Sequence, residues 1–107
     1  AHKLKWKPSQ YMQTYQSRFG RAEWLSPYTQ VELPRLHAQG VERPLIIAPA
    51  FTTDCLETIH ELGIEGAELY AEGGGKEANL MTLTCLNDEP AFLDYLAQKV
   101  SAHAGGW

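Results

Sequence analysis

Residues 44–48 (PLIIA) constrain the fold of this chain most, because this apolar run leads directly into a turn and an amphipathic helix. Such a run is typical of a parallel strand that is covered on both faces. In open α/β sheets, ligands bind outside the carboxyl ends of the strands. We therefore expect chemistry in the turn after residue 48 and in the helix that carries Glu57 and Glu61 one turn apart.

Composition limits the classes of protein to which the chain can belong. Its 107 residues, 44% of them hydrophobic, suffice for one domain with a modest core, and we expect a single α/β domain over residues 1–107. The net charge is −4 and the nine Lys and Arg residues form no basic face, which argues against a nucleic-acid partner. No membrane-spanning run and no leader are evident, so a cytoplasmic location is expected.

The two cysteines, Cys55 and Cys85, are far apart in the sequence and form no CxxC pair. This pattern favours neither a zinc site nor an iron–sulfur cluster. We expect both side chains to be free thiols in a reducing compartment.

Strand-like and helix-like segments alternate along the chain. In chain order, the predicted strands and helices cover residues 11–16, 29–38, 45–48, 55–72, 80–83 and 90–102. Pro34 lies inside the first helix, which must either begin after Thr29 or be kinked. Asp88 is the predicted cap of the last helix, and Pro90 occupies its first turn.

The alternation of strands and helices implies a parallel sheet with helical crossovers. Parallel sheets usually have more than three strands and carry helices on both faces. We therefore expect this chain to be a fragment of a longer protein, as its abrupt start (AHKLKW) also suggests.

Five short motifs occur together in the order that one protein family shows. They are YQSRFG at residues 15–20, EWLSPYT at 23–29, PAFTTDCLET at 49–58, GGGKE at 73–77 and CLN at 85–87. With these motifs, residues 11–100 resemble the carboxyl-terminal part of bacterial ferrochelatases, the enzymes that insert ferrous iron into protoporphyrin IX to make protoheme.

The resemblance implies a chelatase-like fold of two similar α/β halves, flavodoxin-like or Rossmann-like, with the porphyrin in the cleft between them. Each half would be a parallel sheet of three or four strands flanked by helices. Residues 1–107 would then form the C-terminal half-domain, roughly the last third of a two-domain enzyme. The histidine that the family uses for porphyrin deprotonation or metal handling would lie upstream of this chain.

Glu57 matches the active-site glutamate of the family, so the resemblance implies a catalytic role for it and metal binding together with Glu61. Inserting a divalent cation releases two pyrrole protons, which calls for a base and for donors that hold Fe²⁺ without trapping it. For Glu57 the alternative is a capping box with Asp54 as N-cap. For Glu61 the alternative is a solvated helix face, where Glu65 and Glu68 are expected to lie.

Three aromatic residues, Phe19, Trp24 and Phe51, match positions that line the porphyrin cleft in the family. A flat apolar macrocycle favours aromatic and aliphatic walls, and all three follow predicted strand ends. Ordinary core packing is the alternative for each of them.

Cys55 also lies at the implied porphyrin site, at a position where many family members carry a histidine. It is expected either to contact the porphyrin or to be a small buried thiol near a helix start. Arg18 is a weaker candidate, as a partner for a propionate. Ser17 and Asn87 are predicted to form turns.

The resemblance implies no permanently bound cofactor, with Fe²⁺ as a substrate. The cysteines that hold an iron–sulfur cluster in animal ferrochelatases have no counterpart here, so no cluster is expected in this part. The implied partners are protoporphyrin IX, ferrous iron and the N-terminal half of the same enzyme, with at most peripheral membrane contact. The isolated fragment would be inactive.

Two other interpretations remain open at this point. The chain could be a stand-alone tetrapyrrole- or metal-binding module, like the small chelatases that assemble a site from two short subunits. It could also expose an apolar face beside Phe51 and Trp24 and dimerise through it. The length of the natural reading frame would separate the first of these from an enzyme half.

Overall fold

The computed structural model describes residues 3–16 and 21–105, and it shows an α/β arrangement in which helices follow each strand. Its main elements are α1 (Thr29–Leu36), β1 (Leu45–Ile46), a π-helix (Glu57–Glu65), α2 (Gly66–Glu72), β2 (Met81–Thr82) and α3 (Pro90–Ala104). Short 3₁₀ turns lie at Pro8–Gln10 and Glu77–Asn79. The α/β, chelatase-like fold class expected from the sequence is confirmed.

The two strands pair in parallel, with Leu45 opposite Met81 and Ile46 opposite Thr82. Backbone hydrogen bonds extend the pairing, because the Leu83 N–H donates to the Ile46 carbonyl at 2.9 Å. Parallel strands need a long crossover, and here the π-helix and α2 supply it. This connection places the start of the π-helix just beyond the carboxyl end of β1.

The predicted strand over residues 11–16 is wrong. Only Tyr15 in this segment takes part in strand-like pairing, through an isolated parallel bridge to Tyr28. The Tyr15 N–H donates to the Pro27 carbonyl, and the Thr29 N–H donates to the Tyr15 carbonyl, both at 2.9 Å. The ladder stops there because its partner segment turns into α1. The sheet of the described residues therefore has two strands rather than three or four.

α1 begins at Thr29 despite containing Pro34, so the proposed later start is excluded. The helix ends at Leu36, two residues short of the predicted end. Proline removes a helical hydrogen bond and crowds the preceding turn, which accounts for an end so soon after it.

The core lies between α1 and the segment formed by the π-helix and α2. Leu33, Leu62 and Tyr70 are its buried apolar side chains among the residues described. The Tyr70 hydroxyl donates to the Val41 carbonyl at 2.8 Å, so its polar atom is satisfied inside the core. A Cβ on Gly73 would collide with the Pro34 carbonyl, which shows how closely α2 approaches α1.

The last helix differs from its predicted form at both ends. α3 begins at Pro90 with Glu89 as N-cap, and no side chain caps it, so the prediction of Asp88 as cap is wrong. Pro90 is at the first position, where a missing N–H costs nothing. The helix continues to Ala104 rather than ending at residue 102.

Apolar side chains remain exposed on α3 and on the sheet. α3 has no buried residue, and Leu93, Leu96 and Val100 are all exposed along it. Leu45 and Met81, paired across the two strands, are also exposed. No helix in the described part of the chain has the length and apolar character needed to cross a membrane.

Candidate functional site

The loops that follow the two strands meet at one edge of the sheet. There the Asn87 N–H donates to the Thr52 carbonyl at 2.9 Å. The Asp54 N–H donates to Asn87 Oδ1 at 2.8 Å, and Asn87 Nδ2 donates to Asp54 Oδ2 at 2.7 Å. We call this reciprocal arrangement of Asn87 with Thr52 and Asp54 the Asn87 clasp. It lies at the carboxyl ends of the strands, where α/β sheets bind ligands.

Asp54 is the most heavily hydrogen-bonded carboxylate at this edge. Besides Asn87, its oxygens accept the Cys85 N–H at 3.2 and 3.3 Å and the Thr58 hydroxyl at 3.0 Å. The Asn87 amide, followed by the Cys85 N–H, lowers the pKa of Asp54 from 3.8 to about 2. Asp54 is therefore ionised at neutral pH and holds the two loops together.

The capping-box interpretation of Glu57 is wrong. In a capping box the Glu57 side chain would accept the Asp54 N–H, but this N–H donates to Asn87 instead. The Cys55 thiol and the backbone N–H of Glu57 are instead the groups that lower the pKa of its carboxyl. The Glu57 side chain is thus not part of a helix cap.

Glu57 is the first residue of the π-helix and is half-buried. The hydrogen bond from the Cys55 thiol, with a smaller contribution from its own N–H, lowers the pKa of the Glu57 carboxyl, while burial acts in the opposite direction. Glu57 is therefore a carboxylate at neutral pH, able to accept a proton or to bind a cation. π-Helical turns are rare and frequent at functional sites, which agrees with this location.

Cys55 is a free, half-buried thiol beside Glu57. Its N–H donates to the Thr58 hydroxyl oxygen at 3.0 Å, which fixes the backbone where the π-helix begins. Cys85 is also a free thiol; burial, followed by its contact with Asp54, raises its pKa. Cys55 is thus neither fully buried nor distant from the predicted catalytic group.

Glu61 lies farther along the π-helix and is half-buried. On the same helix, His60 Nδ1 is 3.2 Å from Glu65 Oε1, a contact five residues apart that suits π-helical bonding. Within residues 3–16 and 21–105, no group of three or more His, Cys, Asp or Glu side chains is arranged to hold a metal ion. The predicted metal ligands Glu57 and Glu61 therefore do not form a complete metal site by themselves.

A chain of two hydrogen bonds links Trp24 to the start of the π-helix. Trp24 Nε1 donates to the Gln16 carbonyl at 3.1 Å, and Gln16 Nε2 donates to the Glu57 carbonyl at 3.3 Å. Gln16 could not be predicted from the sequence, because a glutamine within an apparent strand gives no signal of a contact 41 residues away. The structure thus brings together two predicted site residues that are distant in sequence.

Trp24 and Phe51 line the same cavity, of about 910 Å³. Its walls also include residues 9–16, side chains of α1 and the strand β1. This volume is within the range of ligand pockets, and the aromatic residues give it apolar walls. Phe19, the third predicted wall residue, lies outside the described residues, as do Ser17 and Arg18.

Comparison with known proteins bears out the resemblance. The family model described as Ferrochelatase matches residues 1–104. The chain is 44% identical over 107 residues to the ferrochelatase of Herminiimonas arsenicoxydans, covering 100% of this chain and 28% of that protein. It is 51% identical over 85 residues to that of Azotobacter vinelandii, covering 79% and 25% respectively. The chain therefore spans less than a third of the length of these curated relatives.

Proposed function

Because this chain belongs to the ferrochelatase family, we propose that it is the carboxyl-terminal part of an enzyme that inserts Fe²⁺ into protoporphyrin IX. The product is protoheme. The observation that best supports this proposal is the position of Glu57, which begins the π-helix and whose backbone carbonyl accepts a hydrogen bond from Gln16 in the wall of the aromatic cavity.

Metal insertion requires two functions that a carboxylate can provide. The porphyrin loses two pyrrole protons, so a base must be near the ring, and general bases contribute about 10²- to 10⁴-fold in rate. Fe²⁺ also needs donors that bind it briefly. In this proposal Glu57 accepts a proton and contacts the metal, and Glu61 offers a second oxygen donor on the same helix.

The apolar walls would hold the macrocycle beside this carboxylate. Trp24 and Phe51 offer aromatic surface in the cavity, and Phe19 is proposed to add to it. Cys55, which lies beside Glu57 just before the π-helix, is proposed to contact the porphyrin there. A porphyrin approaching Glu57 would therefore meet Cys55 as well.

The remaining ligands and walls are proposed to come from the N-terminal half of the same enzyme. The chain spans 28% of the Herminiimonas relative, and its described residues contain no three-ligand metal group. These two facts favour an enzyme part over a stand-alone metal-binding module. The isolated chain is then expected to be inactive, and the cytoplasmic location remains a prediction.

The test is a metal-insertion assay on a full-length protein that contains this sequence, following the porphyrin absorption change with Fe²⁺ or Zn²⁺. Glu57→Gln should lower kcat by about 10²- to 10⁴-fold, because it removes the base and keeps the shape. Glu68→Gln is the matched control, since Glu68 is an exposed glutamate on α2, and it should insert metal at the wild-type rate.

Either of two results would contradict the proposal. If the full-length protein inserted neither metal, the proposed activity would be wrong. If Glu57→Gln inserted metal at the wild-type rate, Glu57 would have no role in the mechanism. Its position beside Cys55 would then be only structural. The 107-residue chain assayed alone should show no insertion.

A further inference from the structure

We propose that Asn87 is a positioning residue for metal insertion, because its clasp on Thr52 and Asp54 fixes the turn from which Glu57 projects. This inference rests on the proposed function. Asn87 itself is not expected to contact the porphyrin or the metal. Its role is to join the loop after β2 to the turn after β1.

Both the oxygen and the nitrogen of the Asn87 side-chain amide form hydrogen bonds. Its oxygen accepts the Asp54 N–H at 2.8 Å, while its nitrogen donates to Asp54 Oδ2 at 2.7 Å and is 3.2 Å from the Cys85 carbonyl. The backbone N–H of Asn87 adds the bond to Thr52. A single side chain therefore holds both the backbone and the carboxylate of Asp54.

A short series of contacts leads from the clasp to Glu57. Asp54 accepts the hydroxyl of Thr58, which is almost completely buried, and the same hydroxyl oxygen accepts the Cys55 N–H. Thr58 directly follows Glu57 in the chain, so the Asp54–Thr58 hydrogen bond ties the clasp to the first turn of the π-helix. A shift of Asp54 would therefore move the turn from which Glu57 projects.

The backbone explains why asparagine suits this position. Asn87 has φ of 47°, a left-handed conformation that asparagine tolerates better than most residues other than glycine. Asn87→Gly would keep this conformation and the N–H bond to Thr52, but it would lose both side-chain hydrogen bonds to Asp54. Aspartate would keep the size and the oxygen, but it would replace the N–H donor with a second carboxylate facing Asp54.

These differences define the experiment on the full-length protein. Asn87→Gly and Asn87→Asp should each lower kcat for metal insertion by about 10- to 100-fold near neutral pH, since small misplacements of catalytic groups have effects of this size. KM for the porphyrin should change by less than about twofold, because the cavity walls do not include Asn87. Asn79→Asp, on the 3₁₀ turn, is the matched control and should keep the wild-type kcat.

The pH profile separates a positioning role from a merely structural one. In Asn87→Asp two carboxylates would share one contact, which raises the pKa of the pair. As the pH falls from about 7 to about 4.5, the range in which paired carboxylates take up a shared proton, the pair should gain an O–H that replaces the lost N–H donor. The rate relative to wild type should then recover in Asn87→Asp and stay low in Asn87→Gly. Cys85, the thiol against Asp54, stays protonated across this range because its pKa is raised.

Failure of this inference and failure of the proposed function would give different results. If wild type inserts metal and Glu57→Gln does not, wild-type rates in both Asn87 variants would overturn the inference alone. Equal losses in both variants, with no recovery at low pH and a lowered melting temperature, would also overturn it, because they would indicate a turn needed for folding. Absence of insertion by the wild type would instead overturn the proposed function.

Discussion

The helical segment 57–72 and α3 have similar lengths and amphipathic patterns, yet they are held in different ways. The first contains the buried residues Leu62 and Tyr70 and packs closely on α1. α3 has no buried residue, although it is 15 residues long. Periodicity therefore predicts that a helix forms, whereas burial depends on whether the chain also contains its packing partner.

Hydrogen bonds near the start of α3 compensate in part for its lack of buried residues. Asn87 lies in the loop that precedes α3, and its clasp joins that loop to the turn before the π-helix. The segment 57–72 is thus held by packing, and the base of α3 is held by hydrogen bonds. This difference between packing and hydrogen bonding can be tested by weakening each kind of contact in the 107-residue chain.

The largest effect is expected from Tyr70→Ala. Tyr70 is fully buried and its hydroxyl donates to Val41, so truncation leaves both a cavity and an unpaired carbonyl. Large-to-small changes of buried aromatic residues lower the free energy of unfolding by about 3–5 kcal/mol. Urea denaturation would measure this loss. A loss below about 1 kcal/mol would contradict packing as the main support of this segment.

A smaller effect is expected when acid weakens the clasp. The pKa of Asp54 is lowered from 3.8 to about 2 in the folded chain, so its contribution to stability is complete above pH 3.8 and is lost as the pH falls towards about 2. Urea midpoints measured against pH should therefore fall more steeply across this window in wild type than in Asp54→Asn. Parallel curves would show that the clasp contributes nothing to stability.

The smallest effect is expected from Leu96→Ala on α3. Leu96 is 41% exposed, so its truncation should change the free energy of unfolding of the isolated chain by less than about 0.5 kcal/mol. Urea denaturation again gives the measurement. A loss like that of Tyr70→Ala would show that α3 packs against a partner even in the isolated chain, and the contrast between the two segments would disappear.

Local sequence signals predicted the helices well and the short strands partly. The apolar spacing of residues 90–102 and the N-terminal Pro90 gave the position of α3, because both act within one helix. The strand over 11–16 could not be excluded from sequence, because strand formation depends on a distant partner. The same local pattern also gave no sign that residues 57–65 form a π-helix.

The candidate site was likewise predicted only in part from the sequence. The motif around Glu57 was recognisable in sequence. Trp24 and Phe51, which were predicted to line a porphyrin cleft, lie in the wall of one cavity, and their contact with a porphyrin stays a prediction. Asn87 was predicted as a turn residue, which its φ of 47° confirms, but its clasp on Asp54 joins residues 33 positions apart. Contacts of this length depend on how the strands place their loops, and no local pattern records them.

The π-helix also determines the direction in which its carboxylates wind. In an α-helix a step of four residues overshoots one full turn by about 40°. In the wider π-helix the same step falls short of a full turn. The row formed by Glu57, Glu61 and Glu65 therefore winds around the helix axis in one direction here. In an α-helix with the same sequence it would wind in the opposite direction.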